Sequence, residues 1–342
     1  MYQVVGVSSG GGVSLYPFYP NILGNIEGRA IFHTAGNKQW QENFHNIPLF
    51  RDFTNKAIAT CKNPDVLISS PDCGSGSILR YSRAKQLGDH KLNKSLMMFF
   101  QGISYFQPKF ILFENLGGLF KSFDRHEFFN TLDNYRLISH LKPVTFWGNS
   151  QLHRERLVIV GIRNDLDKEI DRYFKLPDYR DQNKTCRELY ADLDNIGTFT
   201  EALNSAHVRE DIFTEITIYS GKKMLISEIR NHWQMELKGK RRWEVTDRKF
   251  KTAPGVYRNR LNDYPATARK ANRQFDHHGL MLTPRQLARI QGVPDDFKIF
   301  IDPGSLNYWI NKGRALVTKT PPMEISYWFR RKLNKTKKLK LW

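Results

Sequence analysis

The run Asp65-Val66-Leu67-Ile68-Ser69-Ser70-Pro71-Asp72-Cys73-Gly74-Ser75-Gly76-Ser77 divides into two halves of opposite character. Its first half is a short apolar, β-branched segment of the kind that forms a buried strand. Ser-Ser-Pro then stops the strand, and the second half is a Gly/Ser-rich loop carrying one cysteine. In α/β folds, the loops that follow the strands are where reactive groups are displayed. Cys73 is therefore the candidate nucleophile. Most lone cysteines are small core thiols. Cys73, however, lies past the strand between Asp72, Gly74 and Ser75, where little apolar surface can bury it and loop amides favour a thiolate.

Upstream, Val4 to Val7 is another β-branched strand, feeding Ser8-Ser9-Gly10-Gly11-Gly12. A glycine loop after a strand lets backbone amides approach a ligand closely, although such a loop is as often merely flexible. Ile22 to Ile26 reads as a second strand ending at Glu27, where nucleotide-binding α/β folds often hold a ribose by an acidic side chain. Ile47 to Phe53 reads as a third, with Asp52 at its exit. Downstream, Leu92 to Phe106 has a broad apolar face at helical spacing. Pro108 to Gly118 is a continuous apolar run that closes on Glu114-Asn115, as in a buried parallel strand with polar groups at its C-terminal end. Glu114 is a second catalytic candidate, its plain alternative being a salt-bridged strand-end glutamate. Gln151 to Arg156 leads into the strand Leu157 to Ile162, so Arg154 and Arg156, one strand period apart, are expected on one face. Paired guanidiniums suit phosphate or carbonyl recognition.

The chain has 342 residues, with 53 Lys and Arg against 34 Asp and Glu, a net charge of +19. The sequence pI is near 9.8. That imbalance points first to a polyanionic partner such as nucleic acid. Part of the excess is the run Arg330 to Lys340, expected to be a mobile arm that adds affinity without specificity. A second cluster, Lys238, Lys240, Arg241, Arg242, Arg248, Lys249 and Lys251, is interleaved with Trp243 and Phe250, a better sign of nucleic-acid binding than charge alone. Only Cys61, Cys73 and Cys186 occur, without metal-ligand spacing, so neither a disulfide framework nor a metal site is expected. No targeting segment or membrane-length apolar run is evident, and a reducing, cytoplasmic setting is expected.

From Asn164 to about Thr252 the apolar rhythm breaks up and charge dominates, which reads as a smaller separate domain. Order returns at Leu282-Thr283-Pro284-Arg285-Gln286-Leu287-Ala288-Arg289-Ile290-Gln291-Gly292. Here Thr283 is a good N-cap, Pro284 fits the first helical turn, and Gly292 ends the helix. Gly313-Arg314-Ala315-Leu316-Val317 precedes an apolar helix around Met323 to Phe329.

In this order the pieces resemble the cytosine-C5 DNA methyltransferases over nearly the whole chain except its middle. Pro71-Asp72-Cys73 resembles the family's Pro-Cys loop, Glu114-Asn115-Leu116 its Glu-Asn-Val, and Gln151 to Arg156 its Gln-x-Arg-x-Arg. Leu282 to Phe297 is the most specific match, and Tyr257 to Thr267 resembles the segment before it.

The resemblance implies a Rossmann-like α/β sheet that binds S-adenosylmethionine, with a second, smaller target-recognition domain. The catalytic domain would comprise residues 1–163 plus 280–342 and the recognition domain residues 164–279. Cys73 would attack C6 of a flipped cytosine, and Glu114 would hydrogen-bond N3 and the exocyclic amine. Arg156 would contact the base carbonyl, and Arg154 the backbone near the flipped nucleotide. Ser9, Gly10, Gly11, Gly12, Glu27, Asp52 and Phe53 would hold the donor. Asp72 stands where the family has proline and Arg314 where it has asparagine, both beside the donor. The expected partner is double-stranded DNA, bound by a monomer. The other readings are an RNA cytosine methyltransferase and a noncatalytic or altered-donor DNA-binding relative.

Overall fold

The computed structural model describes residues 2–29, 35–71, 94–121, 125–151, 154–190, 192–193, 215–217, 223–225, 257–258, 262–265, 267, 274–275, 282, 284–299, 318 and 320–342. Cys73, Asp72, Arg314 and the Lys238–Lys251 cluster lie outside these residues. Contacts divide the chain into two compact units, one of residues 1–147, 154–179 and 320–342, the other of residues 148–153 and 180–319.

The first unit is built on seven strands: β1 (Val4–Val7), β2 (Ile22–Ile26), β3 (Leu49–Phe50), β4 (Val66–Ser69), β5 (Phe110–Asn115), β6 (Tyr135–Pro143) and β7 (Glu155–Arg163). Their spatial order is β3-β2-β1-β4-β5-β7-β6. The pairs β2–β3, β1–β2, β1–β4 and β4–β5 are parallel, and β7 runs antiparallel between β5 and β6. Every residue of β1, β4 and β5 is buried, as expected for strands covered on both faces. The order reverses at β1, so the crevice beyond the C-terminal ends of β1 and β4 is the place where such sheets bind ligands.

Helices α1 (Ala35–Phe44), α2 (Asn55–Thr60), α3 (Lys94–Phe106) and α4 (Arg125–Asn130) belong to this unit. Helix α3 buries Leu96, Phe99, Ile103 and Phe106, a 3-4-3 spacing that makes one apolar stripe. Gly102 on the same face lets the helix lie close to the sheet, because a Cβ there would press on Val7 and Leu67. Phe99, Phe113 and Phe128 pack with ring centroids 4.8–6.2 Å apart and hold β5 from behind. The direction of β7 sets Leu157 opposite Asn115 and Val158 opposite Glu114. The beginning of β7 thus lies at the same sheet edge as the end of β5.

The segment 164–179, grouped with the polar middle on composition, makes its contacts within the sheet unit. Ile170 and Phe174 are fully buried, and Phe174 packs on Phe110, Trp328 and Phe329. The basic C-terminal run is not a mobile arm. It is the second half of helix α7 (Met323–Lys338), whose Trp328, Phe329, Leu333 and Thr336 are buried. Trp342, just beyond the helix, sets its ring against Phe110 at 4.9 Å.

In the second unit, α5 (Cys186–Tyr190) and α6 (Pro284–Ile290) are described, with the antiparallel pair Glu215–Thr217 and Lys223–Leu225 and the parallel pair Tyr257–Arg258 and Gln274–Phe275. Helix α6 starts at Pro284 and is followed by Gly292 with φ of 71°, as its sequence requires. Arg289 joins Asp295 through two contacts of 2.9 and 2.6 Å and also pairs with Asp192. The Gln151 amide donates to Asn149 Oδ1 at 2.9 Å and to Gln291 Oε1 at 2.8 Å. The motif around Gln151 and the one that ends at Gly292 are joined by that second contact.

Candidate active site

Three strand ends meet at the Glu114 edge of the sheet. β4 delivers Ser70 and Pro71, β5 delivers Glu114 and Asn115, and β7 begins with Glu155 and Arg156. Glu114 is nearly fully buried, and both its carboxylate oxygens are engaged. Ser70 Oγ donates to Oε2 at 2.7 Å, and Arg156 Nε lies 2.7 Å from Oε1. A buried carboxylate is tolerated only when paired and hydrogen-bonded in this way. Asn115 Nδ2 donates to Pro71 O at 3.3 Å, and its Oδ1 accepts from Leu116 N. That tether fixes the chain two residues before Cys73.

Among the described residues, Arg154 and Arg156 have different partners. Arg154 precedes β7, is buried, and donates from Nη2 to Thr320 O at 3.1 Å. Only Arg156 reaches Glu114.

A second group of polar side chains follows β1 and β2. Ser8 and Gly10 to Gly12 all have positive φ, from 53° to 89°. Such a path suits glycine and turns successive amides toward one concavity. Ser9 Oγ donates to Asn25 Oδ1 at 3.0 Å, and Gly10 N donates to Glu27 Oε2 at 3.3 Å. Glu27 is fully buried, and its carboxylate is gripped by Arg29 through Nε and Nη2, both at 2.7 Å, while Nη2 also donates to Ser8 O. Asp52 is exposed and caps Phe53 N at 2.9 Å. Phe53 is half-buried and stacks on Tyr105 at 5.3 Å.

Burial holds the other two cysteines in the neutral form. It pushes the Cys61 thiol up to about 12 and the Cys186 thiol up to about 11, the latter despite an opposing hydrogen bond from Tyr190. Neither offers a thiolate at neutral pH.

The family model for C-5 cytosine-specific DNA methylase matches residues 32–310. The chain belongs to that family. It is a DNA cytosine-C5 methyltransferase whose methyl donor is S-adenosylmethionine. Among solved structures, the methyltransferase chain is similar to a protein described as a DNA modification methyltransferase encoded within an E. coli prophage. That match has a TM-score of 0.63 and 18% identity and covers 98% of this chain and 100% of the other. The Entamoeba histolytica methyltransferase EhMeth gives 0.62 and 15% over 99% of each chain. S. pombe Dnmt2 gives 0.59 and 14%, over 98% of this chain and 99% of the other. At these identities the likeness is one of fold. No curated protein sequence matches the chain.

The residues present fit the donor. Ser8 Oγ, Asn25 Nδ2 and Ser69 Oγ are buried without a hydrogen-bond partner among the described residues, and all three lie at the C-terminal ends of adjacent strands. Buried polar atoms need partners, so this crevice has the chemistry of a site for a polar ligand. Ser70, Arg29 and Thr320 were not singled out from the sequence. Ser70 is visible only as the polar residue that ends an apolar strand. Arg29 is marked by following Glu27 at two residues. Nothing local marks Thr320, whose backbone carbonyl is what Arg154 uses.

Proposed function

We propose that this methyltransferase modifies C5 of a cytosine flipped out of double-stranded DNA, through a covalent adduct with Cys73. The observation that carries the proposal is the convergence of Pro71, Glu114 and Arg156 from three strands on one edge. A cytosine ring is a poor nucleophile at C5, so a group must first add at C6 to make C5 electron-rich. The Cys73 sulfur would form that bond while Glu114 hydrogen-bonds N3 and the exocyclic amine, favouring the protonated ring. Arg156 holds Glu114 in place and would meet the base carbonyl. When bound, S-adenosylmethionine supplies the electrophilic methyl group. The C5 proton then leaves, and the carbon–sulfur bond breaks to restore both the aromatic ring and Cys73. Such chemistry cannot occur inside a stacked duplex, so the base must leave the helix.

Ser9 and the Gly10–Gly12 amides would line the donor site, with Glu27 on the ribose hydroxyls, Asp52 on the adenine amine and Phe53 against the base. Asp72 and Arg314 would border its methyl end. The sheet unit, which includes residues 164–179, would act as the catalytic and cofactor-binding part, and residues 180–279 would supply target recognition, acting as a monomer in the cytoplasm.

Nucleoside mass spectrometry of DNA from expressing cells should show 5-methylcytosine with the wild type and none with Cys73→Ser, because a hydroxyl is far less nucleophilic than a thiolate at neutral pH. A duplex containing 5-fluorocytosine should trap the wild type covalently, since fluorine cannot leave as the proton does. Turnover by Cys73→Ser would overturn the mechanism.

A further inference from the structure

From Arg330 to Lys340 the chain places seven cations in eleven residues and no acid. The helix macrodipole accounts for the last turn, where Lys335, Lys337 and Lys338 face the carbonyl end. It does not account for Arg330, Arg331 and Lys332 in the middle of α7, where like charges three and four residues apart repel one another. A surface needing only solubility would mix both signs.

Arg331, Lys335 and Lys338 are exposed and follow one another at i, i+4 and i+7, so they lie along one face. Among the described residues, the carboxylates of the packed 168–174 segment are engaged elsewhere: Glu169 with Arg172 and Asp171 with Arg136. Aromatic rings hold two of the three cations. Arg331 sits 5.2 Å from the Tyr179 ring centroid and Lys335 5.4 Å from that of Tyr173. Long side chains laid on rings lose less freedom on binding an anion.

The placement separates this face from the reacting base. The start of α7 follows Thr320, which accepts from Arg154 and lies against Gly10 at the donor loop. Its end leads to Trp342, packed on Phe110 and Tyr2 at the N-terminal ends of β5 and β1. A helix of this length spans about 24 Å. The basic half therefore runs from mid-sheet to the edge opposite Glu114. Three cations within about 10 Å match the axial extent of about three phosphates on one strand.

We infer that the exposed face of Arg331, Lys335 and Lys338, framed by Tyr173 and Tyr179, is a sequence-independent docking surface for the phosphate backbone of duplex DNA, separate from the edge that handles the cytosine. It rests on the reading of DNA as substrate. Bound there, a flanking stretch of duplex would stay on the enzyme while the catalytic edge samples bases.

The test compares wild type with the triple variant Arg331→Gln, Lys335→Gln, Lys338→Gln on a mixed-sequence duplex several helical turns long. Binding is measured by fluorescence anisotropy over a series of salt concentrations. The slope of log affinity against log salt should fall by about 2 to 3, at roughly 0.9 per lost phosphate contact. The charge-preserving variant Arg331→Lys, Lys335→Arg, Lys338→Arg should keep the wild-type slope, which separates lost charge from lost fold. 5-Methylcytosine production on plasmid DNA is read in parallel. A reduced slope without any product would sustain the surface and sink the enzymatic reading, whereas product with an unchanged slope would sink the surface alone. Loss of binding to phosphatidylserine vesicles with unchanged duplex binding would overturn the inference in favour of a lipid surface.

Discussion

Glu27 and Glu114 are both buried carboxylates at the ends of parallel strands, and both are held by an arginine, yet the two pairs are assembled in opposite ways. Glu27 takes Arg29 from its own exit loop, two residues on, and both carboxylate oxygens face that one side chain. Glu114 takes Arg156 from a strand that runs antiparallel to its own and shares its second oxygen with Ser70, just past the end of β4. The first pair can form as soon as the loop closes. The second exists only when three strands are in register. On the proposed function, Arg29 would cover the carboxylate meant for a ribose, whereas Arg156 and Ser70 would orient the one meant for the base.

The largest expected effect is at the second pair. Glu114→Gln keeps the shape but loses the proton-handling carboxylate, and methyl transfer should fall by about 10²–10⁴-fold while donor affinity stays unchanged. Single-turnover kinetics with calorimetry of the donor would show it. An equal fall in donor affinity would mean that the two pairs are not functionally distinct.

A smaller effect of the opposite kind is expected at the first pair. Arg29→Met removes the guanidinium that grips the buried Glu27 carboxylate, so the melting temperature should drop, and donor addition should raise it by more than in wild type. Donor affinity should rise by up to about tenfold, because the ribose hydroxyls would no longer compete with a guanidinium for the carboxylate. Weaker donor binding would show instead that Arg29 holds Glu27 in the binding orientation.

The smallest change is expected at Arg314, which would sharpen the contrast by testing charge at the donor's other end. Arg314→Asn should alter affinity for S-adenosylmethionine by less than about fivefold, as for a compensated or solvated arginine. Calorimetry with the ordinary donor and its carboxylated analogue would check this. A wild type that prefers the carboxylated donor, with the preference lost in the variant, would make Arg314 a donor-selecting residue.

What could be read without a structure was local. Short apolar runs ending in Ser-Ser-Pro, Glu27 and Glu-Asn located β4, β2 and β5, and Thr-Pro with a closing glycine located α6, because strand burial and helix ends are set by neighbours in the chain. The order of those runs was enough for the family and for Cys73, Glu114 and Arg156 as candidates. The partners of these residues were not legible. A lone Arg-x-Arg at a strand start says nothing of strand direction, so the inward turn of Arg154 and the pairing of Arg156 with Glu114 required the sheet order. The C-terminal run misled for the same reason: its charge suggests a solvated arm, but Leu333 and Thr336 are buried, and Trp342 packs on Tyr2 and Phe110, far away in sequence. The sequence by itself determined which strands and loops exist and which reactive side chains end them. Only the tertiary structure decided which charges meet, because a charge pair depends on the direction and register of strands that nonlocal packing sets.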